Sequence, residues 1–313
     1  FMWFIDTAKD KLPQEIDFRH EAENARRCAK MFEDNETIKV PDIVDKYLSK
    51  RVLVMEYIDG CSVTESEKIE EMGFELKPVS KLVSRAFCQM IFKHGFVHSD
   101  PHEGNLMVRP FKNQKGEIAP QLVLLDHGIY QDVSPTTQYE WARMWKGLIM
   151  QDMNLITTAA HSLGAPHPEV FGGMVAGRPI NDVMDGRQFD RKRFIPGAST
   201  EERQKLQQAM DEYRVHINQC LEKMNREIVL ILKVNDFLRA LDRKNGTPAN
   251  NILITTVYCL QNVKENDKHK SFDIKFQNWK DECNIFYRLF ALHMHMLWNY
   301  LRGNPVFMGI ENQ

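Results

Sequence analysis

Two short motifs, each placed at the end of an apolar run, constrain this chain more than any other feature of it. The first is Val97-His98-Ser99-Asp100-Pro101-His102-Glu103-Gly104-Asn105 and the second is Leu125-Asp126-His127-Gly128. An Asp, four residues and an Asn, followed later by Asp-x-Gly, is the spacing by which phosphoryl-transfer sites place one group that orients the nucleophile and two that hold a metal. Phe96-Val97 runs into the first motif, Leu106-Met107-Val108 leaves it, and Leu122-Val123-Leu124-Leu125 runs into the second. Short strands at these runs would form a small hairpin and bring Asp100, Asn105 and Asp126 into one cleft. A few hard oxygen ligands suit Mg²⁺, which keeps waters and substrate phosphates in its shell.

Each half of the pattern has a plainer explanation. Asp-x-x-x-x-Asn recurs by chance, and a lone Asp-His-Gly is ordinary turn chemistry. Their occurrence in order, each after an apolar run, favours phosphoryl transfer. Upstream, Pro13 can open a helix, and Phe18, Ala22, Ala25, Ala29 and Phe32 recur at helical spacing as one buried stripe, with Glu21 beside it. Glu15 and Asp17 fall in its first turn, where the helix dipole alone favours acidic residues. Arg51 to Tyr57 reads as a strand, and Ile58-Asp59-Gly60 turns the chain after it.

Together with Glu15-Ile16-Asp17-Phe18-Arg19-His20-Glu21-Ala22-Glu23-Asn24, the two motifs resemble the signature segments of the UbiB, or aarF-domain-containing, atypical kinases. Gly128-Ile129-Tyr130-Gln131 and Leu230-Ile231-Leu232-Lys233-Val234-Asn235-Asp236-Phe237-Leu238-Arg239 resemble most closely its mitochondrial subgroup, type one. The likeness covers nearly the whole chain and is weakest from about Arg178 to Asn225.

What the resemblance implies is an α+β, protein-kinase-like fold. Residues 1–60 would be the C-terminal part of a small lobe with its hinge, and residues 61–313 a helical large lobe with family-specific helices at its end. It implies Mg²⁺ and ATP as cofactors, with Asp100 catalytic and Asn105 and Asp126 on the metal. Glu21 would match the helix glutamate that pairs with a strand lysine, Glu15 and Asp17 the family's Glu-x-Asp motif, and Glu56 to Ile58 the hinge whose backbone meets the adenine edge. For Glu15, Asp17 and Glu21 the helix-start explanation stands beside this one, and for Glu56 and Ile58 simple strand-then-turn chemistry does. The family's Lys-x-Gly-Gln motif, alanine-rich loop and ATP-contacting lysine would precede Glu15 and are absent from these 313 residues. The chain alone is therefore expected to be a partial domain without turnover of its own.

The implied setting is mitochondrial, in ubiquinone or membrane-lipid homeostasis, with a small-molecule or lipid-like substrate. Two function classes follow, an ATPase or small-molecule kinase and a nucleotide-binding scaffold without turnover. An intact Asp100 favours the first. A phosphotransferase of the aminoglycoside or choline type shares the Asp-x-x-x-x-Asn logic but leaves the early Glu-x-Asp segment unexplained.

The remaining residues narrow these classes. Neither Ala-Pro-Glu nor a long Ser/Thr/Tyr-bearing segment follows Gly128 before Ser134-Pro135 opens the next helix, which argues against a peptide substrate. With 41 basic against 43 acidic residues there is no global cationic surface, and nucleic-acid binding is disfavoured. Six cysteines without a C-x-x-C pair read as buried thiols. No apolar run is long enough for a transmembrane helix.

Thr64 to Met72 reads as a helix closed by Gly73. A longer one opened at Pro78 buries Val79, Leu82, Val83, Ala86, Phe87, Met90 and Ile91 and stops at Gly95. Arg109 to Gln121, with two prolines and Gly116, is expected to be an exposed hairpin loop. Beyond Thr136 the chain reads as helix, apart from a glycine-rich loop over 172–196. The Met- and aromatic-rich stretch from Trp279 to Leu301 suits core packing, with peripheral membrane contact as the alternative. Of the motif histidines, His98 is a scaffold residue, His102 has no assigned task, and His127 can hydrogen-bond where kinases usually pack a Phe.

Overall fold

The structure, a computed structural model, describes residues 17–177, 179–184, 214–245, 250–267, 278, 280–285 and 287. It is an α+β, kinase-like fold. Packing divides the chain into two units, residues 1–133 with 237–254 and residues 134–236 with 255–313.

In the first unit, Asp17 caps helix α1 (Phe18–Met31) by accepting the Arg19 N–H at 3.2 Å. The buried face of α1 is Ala22, Ala25 and Cys28, continued by Phe32. Phe18 and Ala29 lie outside it, contrary to the expected stripe. Phe18 is the first helical residue, and its N–H is held by the Lys50 carbonyl at 3.1 Å. The expected strand over 51–57 is an extended segment held by isolated bridges, Ser49 to Val52 and Ile43 to Met55. Its partner is only a short loop, interrupted by a 3-10 turn at Asp45–Tyr47, so no ladder can propagate.

A four-stranded sheet follows, in the order β1 (Ile38–Lys39), β5 (Ile118–Leu124), β4 (Leu106–Lys112), β2 (Cys61–Ser62). β4 and β5 are antiparallel over their whole length, so the presumed loop over 109–121 is mostly strand, and only 113–117 turn. Pro110 stands opposite Pro120. Opposed prolines are tolerated because β1 and β2 pair only with the other ends of these strands, leaving both proline nitrogens without a ladder partner to satisfy.

Helices α2 (Ser66–Glu71) and α3 (Leu76–Gln89) come between β2 and the first motif. Of the expected apolar face of α3 and the residues after it, Val79, Val83, Ala86, Phe87, Met90 and Ile91 are buried. A π-helical turn, Met90–His94, ends at Gly95 as the sequence suggests. β3 (Phe96–His98) then pairs antiparallel with β6 (Tyr130–Asp132), His98 opposite Tyr130. This short ladder holds both ends of the signature region.

The second unit begins with α4 (Pro135–Met150), capped by Ser134 and started by Pro135. Asp152 caps α5 (Met153–Ser162), and α6 (Pro168–Ala176) and α7 (Ile180–Met184) follow. Gly172 and Gly173, assigned to a loop on composition, are buried inside α6, which packs closely against the Ile180 side chain at Gly172. Helix α8 (Arg226–Lys244), whose residues from 237 on belong to the first unit, buries Ile228, Ile231, Leu232, Val234, Leu238 and Leu241, and α9 (Asn250–Asn266), in the second unit from 255 on, follows it. The expected loop over 172–196 is thus helix at 172–176 and 180–184, and its remainder from 185 and most of the stretch from Trp279 to Leu301 lie outside the described residues. Among the described residues, no helix is long and apolar enough to cross a membrane. All six cysteines are free thiols, five of them buried.

Candidate active site

The loop of the first motif starts where β3 ends. The Ser99 N–H reaches the Ile129 carbonyl at 3.0 Å, keeping the two signature segments side by side up to Asp100. His98 is 1% exposed, and its ring stacks with those of Phe87 and Tyr130. Burial pushes its pKa down, so it works as a neutral scaffold.

His102 has a local task that its spacing does not reveal. Its Nδ1 accepts the Gly104 N–H at 3.0 Å, capping the 3-10 turn Glu103–Asn105. The ring lies so close over Gly104 that a Cβ there would come within 2.8 Å of it, which accounts for the glycine. The Glu103 carbonyl accepts from the Ser62 hydroxyl at 3.1 Å, and its carboxylate pairs with Lys244 at 2.6 Å.

The loop delivers Asn105 to Asp126. Asn105 Nδ2 donates to Asp126 Oδ2 at 3.1 Å and lies 3.5 Å from the Asp100 carbonyl oxygen. The Leu125 N–H donates to the Asn105 carbonyl at 3.0 Å, joining the two motifs through the backbone as well. Asn105 Oδ1 is the half of the amide that these bonds leave available. Asp126 Oδ1 accepts the Gly128 N–H at 2.8 Å, which tightens the Asp-His-Gly turn. One amide oxygen beside one carboxylate fits a magnesium ion that completes its shell with phosphates and water. Among the described residues no group of three His, Cys, Asp or Glu side chains forms an all-protein cage, so a two-ligand arrangement is the one these residues offer.

Helix α1 reaches the same turn. Glu21 Oε1 lies 3.4 Å from the His127 N–H, and Asn24 Nδ2 donates to the His127 carbonyl at 2.9 Å. Burial raises the Glu21 pKa, and the nearby Asp126 carboxylate adds to the rise against the lowering effect of the His127 N–H. Asn24 is a site residue that reading the sequence did not single out. Its position three residues after Glu21, on the same helix face, was the available signal.

The other expected site residues are placed apart from this cluster. Asp17 binds Arg19 through both its backbone N–H and its guanidinium, the latter at 2.6 Å, and the guanidinium hydrogen bond holds its carboxyl well below the usual range. Glu15 lies outside the described residues. The Glu56 carboxylate pairs with Lys39 at 2.7 Å, and its N–H donates to the Asp42 carbonyl at 2.8 Å. Among the described residues, nothing pairs with the Glu56 carbonyl or the Ile58 N–H, the two groups a hinge would offer an adenine edge.

Comparison with known proteins follows the same lines. The profile of the ABC1 atypical kinase-like domain matches residues 1–160. AarF domain-containing kinase 1 of Drosophila melanogaster is 35% identical over 242 residues, which is 77% of this chain and 45% of that protein. AarF domain-containing protein kinase 1 of Mus musculus is 32% identical over 301 residues, 95% of this chain and 55% of that protein. The chain spans about half the length of the curated relatives it matches. Among solved structures, Rv3197 of Mycobacterium tuberculosis, determined in complex with erythromycin, is 15% identical and superposes with a TM-score of 0.50 over 76% of this chain and 57% of that one. That likeness concerns the fold alone.

Proposed function

Because the chain belongs to the ABC1 atypical kinase-like family, we propose that its Asp100, Asn105 and Asp126 form the metal and nucleophile side of an Mg-ATP site serving an ATPase or a kinase of small or lipid-like molecules. The observation that carries this reading is the Asn105 to Asp126 hydrogen bond, which joins two motifs 21 positions apart and leaves an amide oxygen beside a carboxylate. When bound, Mg²⁺ neutralises charge on the phosphates. Asn105 and Asp126 would hold it, and Asp100 would orient the attacking hydroxyl or water. Glu21 and Asn24 keep the Asp126 turn in place from the side of α1, and the hinge backbone at Glu56 and Ile58 would take the adenine.

A non-peptide substrate is supported by the short path after the Asp-His-Gly turn. β6 ends at Asp132 and α4 opens at Pro135, which leaves no length for a peptide-docking segment. The mitochondrial setting, the ubiquinone or membrane-lipid role and peripheral membrane contact are proposed from the family resemblance.

Phosphate release from Mg-ATP by the full-length protein tests the reading, wild type beside Asp100→Asn, with and without liposomes and a ubiquinone-like compound. Release that falls by a hundredfold or so in the variant and rises with lipid is the expected result. Nucleotide binding without Asp100-dependent release would instead make the protein a nucleotide-binding scaffold.

A further inference from the structure

Behind Asp126 lies a connected chain of buried groups that the nucleotide site does not use. His127 Nε2 is 3.0 Å from the Leu124 carbonyl oxygen, and His127 Nδ1 is 3.0 Å from the Tyr130 hydroxyl. Donor and acceptor roles follow from the carbonyl end. A carbonyl only accepts, so Nε2 carries the ring proton, and Nδ1 of the neutral ring must accept. The Tyr130 O–H therefore donates to Nδ1. His127 is 2% exposed, so water does not compete for these bonds.

Two further features make the chain directional. The Tyr130 ring stacks with Phe96, His98 and His127, within 19° of parallel to each, so its hydroxyl has one direction in which to point. Glu21 and Asn24 engage the same short segment at the His127 backbone. A Phe at position 127 could pack in several rotations about its own axis. A histidine with both nitrogens engaged can take only one.

We propose that the Tyr130 and His127 side chains form a positioning device that holds the Asp-His-Gly turn in the orientation presenting Asp126 to Asn105. The proposal rests on the reading of Asp126 as a metal ligand. It assigns Tyr130 as a positioning residue, since it acts through His127.

The test is Mg²⁺ titration of ATP binding by the full-length protein, comparing wild type with Tyr130→Phe, which keeps the ring stack and removes only the hydroxyl. It is expected to raise the Mg²⁺ concentration for half-maximal binding about tenfold, the worth of one buried hydrogen bond, while Mg²⁺-free ATP affinity changes less than about twofold. Histidine ¹⁵N NMR gives a second readout, with His127 as a single Nε2–H tautomer whose Nδ1 resonance moves in Tyr130→Phe. A Tyr130→Phe protein with wild-type Mg²⁺ dependence, or one that loses Mg²⁺-free and Mg²⁺-bound affinity equally, overturns the proposal. A wild-type protein that binds ATP without any Mg²⁺ dependence overturns the metal reading first and this proposal with it.

Discussion

In the unit made of residues 1–133 and 237–254, half-buried polar side chains reach across more than a hundred positions to fix one turn, Glu21 and Asn24 meeting His127. In the unit made of residues 134–236 and 255–313, they tie helical segments together. Lys146 pairs with Asp281 at 2.5 Å and with Asn278 at 3.0 Å, and Asn278 and Tyr139 both donate to Asp267. The first network ends in an amide oxygen and a carboxylate that can still accept a cation, whereas the second matches a buried lysine with a buried carboxylate. The same residue types thus line the proposed metal site in one unit and a scaffold in the other. What separates them is whether coordinating capacity remains after the protein's own bonds are made.

The largest expected effect breaks the scaffold alone. Trp141 is 1% exposed and packs against Trp145 and Phe171. Trp141→Ala should lower stability by about 3–5 kcal/mol in urea unfolding and leave the Mg²⁺ dependence of ATP binding by the folded protein unchanged. Lys146→Met should cost roughly 3 kcal/mol by the same measurement, because it strands the buried Asp281 carboxylate. Adding Asp281→Leu should recover most of that loss, marking the pair as scaffold.

Acid should reveal the site network. Burial lowers the His127 pKa from 6.5 to about 4. The unfolded chain therefore takes the proton first, so this contribution is complete above pH 6.5 and is lost as the pH falls towards 4. The whole difference is worth roughly 3 kcal/mol at most. Glu21, raised by burial, works in the opposite sense, its contribution being lost as the pH rises through its folded value. Urea unfolding between pH 4 and 6.5 should show a smaller acid loss in His127→Phe than in wild type. Asn24→Ala should have the smallest effect, about 1 kcal/mol, with a measurable rise in the Mg²⁺ requirement for ATP binding.

How much the sequence disclosed follows from how local each requirement is. That the Asp100–Asn105 loop meets Asp126 was legible because phosphoryl-transfer chemistry fixes residue types at short spacings beside apolar runs. The cap at Ser134 and the stop at Gly95 were legible for the same local reasons. Pro110 and Pro120 misled because a proline is excluded only from ladder positions that need its N–H, and that depends on where β1 and β2 end. Gly172 and Gly173 misled because composition marks them as loop while close packing against Ile180 places them in a helix. Asn24 could be read only in part, from its place on the Glu21 face of the helix, because its partner His127 lies 103 positions away and only the docking of α1 on the Asp-His-Gly segment gives it work.

The most direct test of the central claim is calorimetric titration of ATP, with and without Mg²⁺, into the wild-type full-length protein and into Asp126→Asn. Mg²⁺ should strengthen ATP binding at least about tenfold in the wild type, and that gain should vanish in the variant while Mg²⁺-free binding persists. Mg-ATP affinity that survives Asp126→Asn intact would contradict the assignment of Asp126 and Asn105 as the metal site.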